Sequence, residues 1–184
     1  MDKSEITIYL NELNNRLKEQ NIKGQIALFG GTVMCLSYNA RPITKDIDAM
    51  FEPKQIINKI AKQIANENKL PENWLNDSVK GFVSQNSDMK VFKNLSNLII
   101  YVPSEEYMLA MKCMSARLEE ESQDRNDIDF LIDRLNLKNL ESIIEIVLKY
   151  YPPDSIQPKM QYLLEELLEE NKNKSKAKNE LEKL

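Results

Sequence analysis

Leu28 to Phe51 read LFGGTVMCLSYNARPITKDIDAMF, and two short features inside this run carry most of the information in the chain. An apolar stretch from Gln25 to Phe29 enters Gly30-Gly31, which predicts a buried strand closing on a tight turn. Thr32 to Tyr38 predict a short helix entered straight from that turn, and Arg41-Pro42 break it. Asp46 to Phe51 predict a second strand, with Ile47 alternating against Asp46 and Asp48.

The chain holds four glycines, so an adjacent pair between a strand and a helix is informative. Without Cβ atoms the backbone lets a ligand come close. The N–H groups of the helix that follows suit a phosphate, and Thr32 adds a hydroxyl. Alone, the pair is equally well a tight strand-to-helix turn. Asp46 and Asp48 are two apart on a strand, so their carboxylates share a face while Ile47 turns to the core. Such a pair repels unless a cation lies between its members. Mg²⁺ is bound through one or two carboxylates, with substrate phosphates completing its shell. Alone, Asp-x-Asp reads as a solvated strand end. Here it is surrounded by Ile43, Ala49, Met50 and Phe51 and follows the glycine turn closely. Together the two features predict a phosphate cradle beside a metal-binding carboxylate pair. Arg41 and Lys45, between them, are candidate phosphate contacts or ordinary surface charges.

Further out, residues 4–20 predict a helix capped by Ser4, with Ile6, Leu10, Leu13 and Leu17 on one face. Pro53 opens a helix at its first turn, and Ile56, Ile57, Ile60 and Ile64 form its buried side. Leu70 to Gly81, with Pro71, Asn73, Asn76 and Asp77, predict irregular chain; short strands are expected at Val79–Val83 and Met89–Phe92. Leu98–Val102 (LIIYV) predicts a buried strand, and Pro103 to about Glu120 a helix. Asp124–Leu135, Leu140–Tyr150 and Ser155–Glu170 predict three more. From Asn171 the sequence NKNKSKAKNELEKL predicts a frayed, lysine-rich tail. Strands alternate with helices at first, and helices alone follow. The expected fold class is α+β: a small mixed β-sheet flanked by helices over residues 1–103, a C-terminal helical bundle packed on it over 104–170, and a polar tail over 171–184.

Composition narrows the chemistry. The 184 residues suffice for one domain with a helical annex and a core that needs no disulfides. There is no histidine, which excludes Ser-His-Asp and Cys-His catalysis and any His-ligated metal. Two cysteines, Cys35 and Cys113, exclude a structural zinc cluster and a disulfide framework. Any metal is therefore a hard cation on oxygen ligands. Against 25 Lys and Arg stand 29 Asp and Glu, and the net charge of −4 argues against non-specific nucleic-acid binding. No apolar run approaches the roughly 20 residues of a membrane span, and MDKSEITIYL carries no signal-peptide pattern. A soluble, cytoplasmic protein without membrane contact is expected.

On Gly30-Gly31-Thr32 followed by Asp46-Ile47-Asp48, the chain resembles the nucleotidyltransferase superfamily of the DNA polymerase β type. Members carry Gly-Gly or Gly-Ser, a short helix and then Asp-x-Asp. Arg41, Thr44 and Lys45 ahead of the acidic pair look like the prokaryotic AbiEii-like branch and its R-x-T-x-D-x-D pattern. This chain reads R-P-I-T-K-D-I-D, one residue longer between Arg41 and Thr44. YMLAMKCMSAR (107–117) and DRNDIDFL (124–131) resemble that branch's helix with an inward lysine, here Lys112, and its D-x-x-D segment, here Asp124 and Asp127. YYPPDSIQPKMQYLLEELLE is similar to the tail helix of a small subfamily, so the resemblance spans residues 28 to about 168.

The resemblance implies that Asp46 and Asp48 are catalytic and hold the metal. It implies nucleotide contacts from Gly30, Gly31, Thr32, Arg41, Lys45 and Lys112. It also implies a third carboxylate on a later strand. Asp77 is the candidate and Asp88 the rival, and Asp77 reads as well as a turn or capping residue. The reaction implied is Mg²⁺- or Mn²⁺-dependent transfer of a nucleoside monophosphate from an NTP to a hydroxyl of a tRNA 3′ end or a protein. Similar proteins act as toxins of toxin–antitoxin or phage-defence systems, with a cognate antitoxin as partner. A second reading is a nucleotidyltransferase-fold binding module with little catalysis, whose Leu163–Leu168 face docks a partner protein. The remaining features read as packing: Trp74, Met108, Met111 and Met114 in the core, and Cys35 and Cys113 as small buried hydrophobes.

Overall fold

The computed structural model describes residues 1–117 and 122–181. The chain divides into two compact units, Met1–Val83 with Ser87–Ser104, and Ser84–Asn86 with the chain from Glu105 onward.

The first unit opens with α1 (Lys3–Glu19). Its cap is Asp2 and not the expected Ser4, because Asp2 and Glu5 form a reciprocal capping box. The Glu5 amide donates to Asp2 Oδ1 and the Asp2 amide to Glu5 Oε2, each at 2.9 Å. Ile6, Leu10, Leu13 and Leu17 are buried, as their spacing predicts. Asn21, at φ +53°, turns the chain into β1 (Gly24–Leu28). α2 (Gly30–Leu36) begins at the glycines themselves, two residues ahead of the expected Thr32. β2 (Ile47–Glu52) and α3 (Lys54–Asn68) follow, with Pro53 as the extended cap residue and not the first helical one.

β3 is two residues, Leu75–Asn76, inside the stretch expected to be irregular. Trp74 pins it in place. The indole is 1 % exposed, its Nε1 donates to the Ala61 carbonyl at 3.0 Å, and the Trp74 carbonyl accepts the Ile47 amide at 2.6 Å. The strand expected at Val79–Val83 is instead a 3₁₀ turn, Ser78–Phe82. Asn76 Oδ1 accepts the Ser78 amide at 3.0 Å, and this side-chain bond bends the chain away from an extended path. β4 (Met89–Asn94) and β5 (Leu98–Pro103) complete the sheet.

The strand order is β3-β2-β1-β5-β4. β1 is antiparallel to β2 and parallel to β5, β2 is parallel to β3, and β4 is antiparallel to β5. Strand alternation sends Ile26, Leu28, Ile47, Ala49, Phe51, Leu98, Ile100 and Val102 into the core. α1 and α3 pack on each other, α1 reaching β5 and α3 reaching β2. Asp48 and Met50 take the opposite face of β2 and are half-buried.

The second unit holds α4 (Glu105–Ser115), α5 (Asp124–Arg134), α6 (Leu140–Tyr150), a 3₁₀ turn at Pro153–Ser155 and α7 (Pro158–Leu181). α4 packs on α5 and α6, and α6 on α7. The end of α4 expected near Glu120 falls outside the described residues. The tail expected to fray from Asn171 instead continues α7: no glycine or proline follows Pro158, and Asn171 and Lys174 both bond to Asp129 on α5. Leu163, Leu164, Leu167 and Leu168 are buried, so they offer no exposed docking face. Among the described residues no helix is long and apolar enough to cross a membrane.

Because Trp74 fixes β3, Trp74→Ala is expected to cost about 3–5 kcal/mol of stability. Urea denaturation measures it, and an unshifted midpoint would remove Trp74 as the anchor.

Candidate active site

The two halves of the motif meet across the β1–β2 pair. The Phe29 amide donates to the Asp48 carbonyl at 2.9 Å, one residue before α2 opens. Gly30 has φ +56°, and a Cβ placed there would lie 2.9 Å from Asp48 Oδ2. Gly30 thus answers two demands at once: a left-handed backbone and room for the Asp48 carboxylate. A Cβ at Gly31 would fall 1.7 Å from Arg41 Nη2 and 2.6 Å from Thr44 Oγ1. The Arg41 guanidinium therefore lies across the second glycine, which brings a fixed positive charge to the turn.

Asp46 is held by its main chain. Its carbonyl accepts hydroxyls from Thr32 at 3.1 Å and Thr44 at 3.2 Å, and both threonines are buried. The Thr32 hydroxyl thus tethers β2 to α2. Thr44 is itself fixed by its amide, which donates to the Met1 carbonyl at 2.8 Å.

The carboxylates reach β3. Register pairs Asp48 with Asn76. Asn76 Nδ2 donates to Asp46 Oδ2 at 3.3 Å. Ser78 Oγ lies between Asn76 Oδ1 and Asp48 Oδ1, the latter a long contact of 3.4 Å, and its single proton serves one of them at a time. Asp46, Asn76, Ser78 and Asp48 thus form one connected polar run.

The other expected residues fall elsewhere. Lys45 is exposed on the loop before Asp46. Asp77 turns to Lys54, whose ammonium hydrogen-bonds its carboxylate and holds its pKa below the usual value. Asp88 is exposed, and its carbonyl accepts the Ser104 amide at 2.9 Å. Asn76, Ser78 and the tethering role of Thr44 were missed from sequence. A lone Asn before an Asp in a turn-rich stretch gives no signal until β3 is seen to pair with β2.

In the second unit Lys112 is buried, with Nζ 2.7 Å from Asp124 Oδ1 and 2.6 Å from Asp127 Oδ2. Asp124 also accepts the Arg117 amide at 3.0 Å and the Ser122 hydroxyl at 3.1 Å. Burial pushes the Asp124 pKa up, but the Lys112 charge and these donors outweigh it, and the net shift is downward.

Among the described residues no group of three or more His, Cys, Asp or Glu forms a metal cage. The Asp48 carboxylate lies beside Gly30, and the Asp46 carboxylate is joined to it through the Asn76 amide and the Ser78 hydroxyl. Both carboxylates offer hard oxygens, and the pair fits a cation that takes the rest of its shell from phosphate.

A five-stranded mixed sheet that sets a glycine turn against an Asp-x-Asp pair defines a nucleotidyltransferase-like protein. Residues 6–172 match the model of the family described as "Nucleotidyltransferase of unknown function (DUF6036)", and the chain belongs to that family. No curated protein and no solved structure matches it.

The Lys112 cluster carries a pH signature. Asp124 has a folded pKa below its unfolded value of about 3.9. Its contribution is complete above that value and is lost as pH falls through the folded pKa. Urea denaturation at pH 7 and pH 3 should show this loss, and Asp124→Asn should flatten it. Lys112→Ala at pH 7 should cost about 3–5 kcal/mol, because two acids lose their buried partner.

Proposed function

We propose that the protein is a divalent-cation-dependent nucleotidyltransferase that moves a nucleoside monophosphate from an NTP to an acceptor hydroxyl, with pyrophosphate leaving. The observation that carries this reading is the Asp48 carboxylate packed against Gly30, with Asp46 tied to it through Asn76 and Ser78. Asp46 and Asp48 would hold Mg²⁺ or Mn²⁺, with phosphate oxygens completing its shell. Such a cation offsets phosphate charge and makes an acceptor hydroxyl easier to deprotonate. Arg41, across Gly31, and the exposed Lys45 face the triphosphate with positive charge. Thr32 and Thr44 keep Asp46 in place.

The acceptor in this reading is a tRNA 3′ end or a protein hydroxyl, and the net charge of −4 favours a small footprint on any RNA. The resemblance of Arg41, Thr44, Asp46 and Asp48 to the AbiEii-like pattern, from which this chain departs by one extra residue, implies a toxin or phage-defence role and a cognate antitoxin. One observation favours a second reading, a nucleotide-binding module with little transfer: the side chain that reaches the acidic pair from β3 is the Asn76 amide and not a third carboxylate.

The test is transfer of label from α-³²P NTPs to tRNA or to lysate protein in the presence of Mg²⁺. The parent should label an acceptor, and Asp46→Ala/Asp48→Ala, checked for folding by circular dichroism, should not. Equal labelling by both would reject the carboxylate mechanism.

A further inference from the structure

We propose that Asn76, held by Ser78, is a positioning residue that keeps the Asp46–Asp48 pair from retaining a divalent cation of its own, so that cation and nucleoside triphosphate are taken up together. The inference rests on the nucleotidyltransferase reading and adds to it an order of assembly and the residue that sets it.

Two neighbouring carboxylates are costly without a compensating charge or hydrogen-bond donors. Here donors are built in. Asn76 Nδ2 donates to Asp46 Oδ2 at 3.3 Å, and Ser78 Oγ lies 3.4 Å from Asp48 Oδ1 while also meeting Asn76 Oδ1. The amide reaches this place by strand register, since Asn76 is paired with Asp48 across β2 and β3. The nearest acid in sequence, Asp77, is turned away and paired with Lys54. Asp46 therefore meets a neutral amide donor and Asp48 a hydroxyl whose single proton also serves Asn76 Oδ1, where a carboxylate at position 76 would make three charges. Affinity of an oxygen site for a hard cation rises with the number of charged ligands. A bare cation arriving here must displace the Asn76 donor and meets only two carboxylates. It also meets the Arg41 guanidinium held across Gly31, which repels a cation and attracts a triphosphate. A triphosphate brings several anionic oxygens to the same place. Each ligand then strengthens the other by the same factor, because the coupling is reciprocal.

The experiment follows the electron paramagnetic resonance signal of free Mn²⁺ as it is titrated into the full chain, alone and with non-hydrolysable analogues of each of the four NTPs. With the Mn²⁺ taken up by each analogue in a protein-free titration subtracted, Mn²⁺ binding by the parent protein is expected to tighten at least tenfold when the preferred analogue is present, a readout that needs no variant. Asn76→Asp is expected to bind Mn²⁺ alone at least tenfold more tightly than the parent and to show a smaller effect of nucleotide. Tight Mn²⁺ binding by the parent without nucleotide would overturn the inference and leave the transferase reading standing. So would a folded Asn76→Asp protein with unchanged affinity for bare Mn²⁺. Failure of every analogue to bring Mn²⁺ to the parent would sink both.

Discussion

The antiparallel pairing of β1 with β2 is the constraint from which the candidate site follows. Leu28 lies opposite Ala49, and the Phe29 amide closes on the Asp48 carbonyl. In an antiparallel pair the entry of the second strand lies beside the exit of the first. Asp46 and Asp48, at the entry of β2, therefore come against Gly30 and Gly31, at the exit of β1. A parallel pairing would have put the acids at the far end of the sheet from the glycines. Each later detail needs this juxtaposition: the left-handed Gly30 beneath Asp48, the Thr32 hydroxyl on the Asp46 carbonyl, and Arg41 folded back over Gly31.

That arrangement changes what the glycines are for. The sequence suggests that the missing Cβ atoms make room for a ligand. In the folded chain they first make room for the protein's own charges, Asp48 at Gly30 and Arg41 at Gly31. One acid and one base are thereby brought to the same turn on a backbone that neither could approach over an alanine. Thr32 is 0 % exposed and Thr44 7 %, and both bond to backbone, so Asp46 is fixed at its carbonyl while its carboxylate remains half-exposed. A site organised this way keeps its shape before any ligand arrives.

Features with a long apolar period were legible in the sequence. α1, α3, β1, β2, β5 and α6 lie within a residue or two of where their patterns put them. Burial of a stripe or of alternate residues leaves a mark over many positions. The motif was legible for another reason, since rare residue types fell in a fixed order. What escaped was set by single contacts. Asp2 displaced Ser4 as the cap because Glu5 answers it. The 3₁₀ turn replaced a strand because Asn76 captures the Ser78 amide. Two residues of β3 carry no period at all, so whether Asn76 or Asp77 would face the acids was decided by pairing with β2, and Lys54 drew Asp77 away. At the end of α7 a polar, lysine-rich composition predicts fraying, while the bonds of Asn171 and Lys174 to Asp129 leave no mark in the sequence.

Lys112 shows the limit of the same reasoning from the other side. Tyr107 to Cys113 are all buried, so α4 has no solvent-facing stripe along that stretch and serves as the hub on which α5 and α6 pack. A lysine inside such a helix cannot reach water by choosing a face, and its charge must be met within the protein. Asp124 and Asp127 meet it because they stand three apart at the start of α5 and so share one side of that helix. Hydrophobic side chains alone would let α5 slide or rotate against α4 at modest cost. The ion cluster penalises both motions, since either leaves a buried charge without a partner. Asp124 extends the grip by taking the Arg117 amide and the Ser122 hydroxyl, which ties both ends of the α4–α5 connection to the same carboxylate. The inward lysine expected from sequence is therefore, in this fold, the pin that sets the register of the two helices around it.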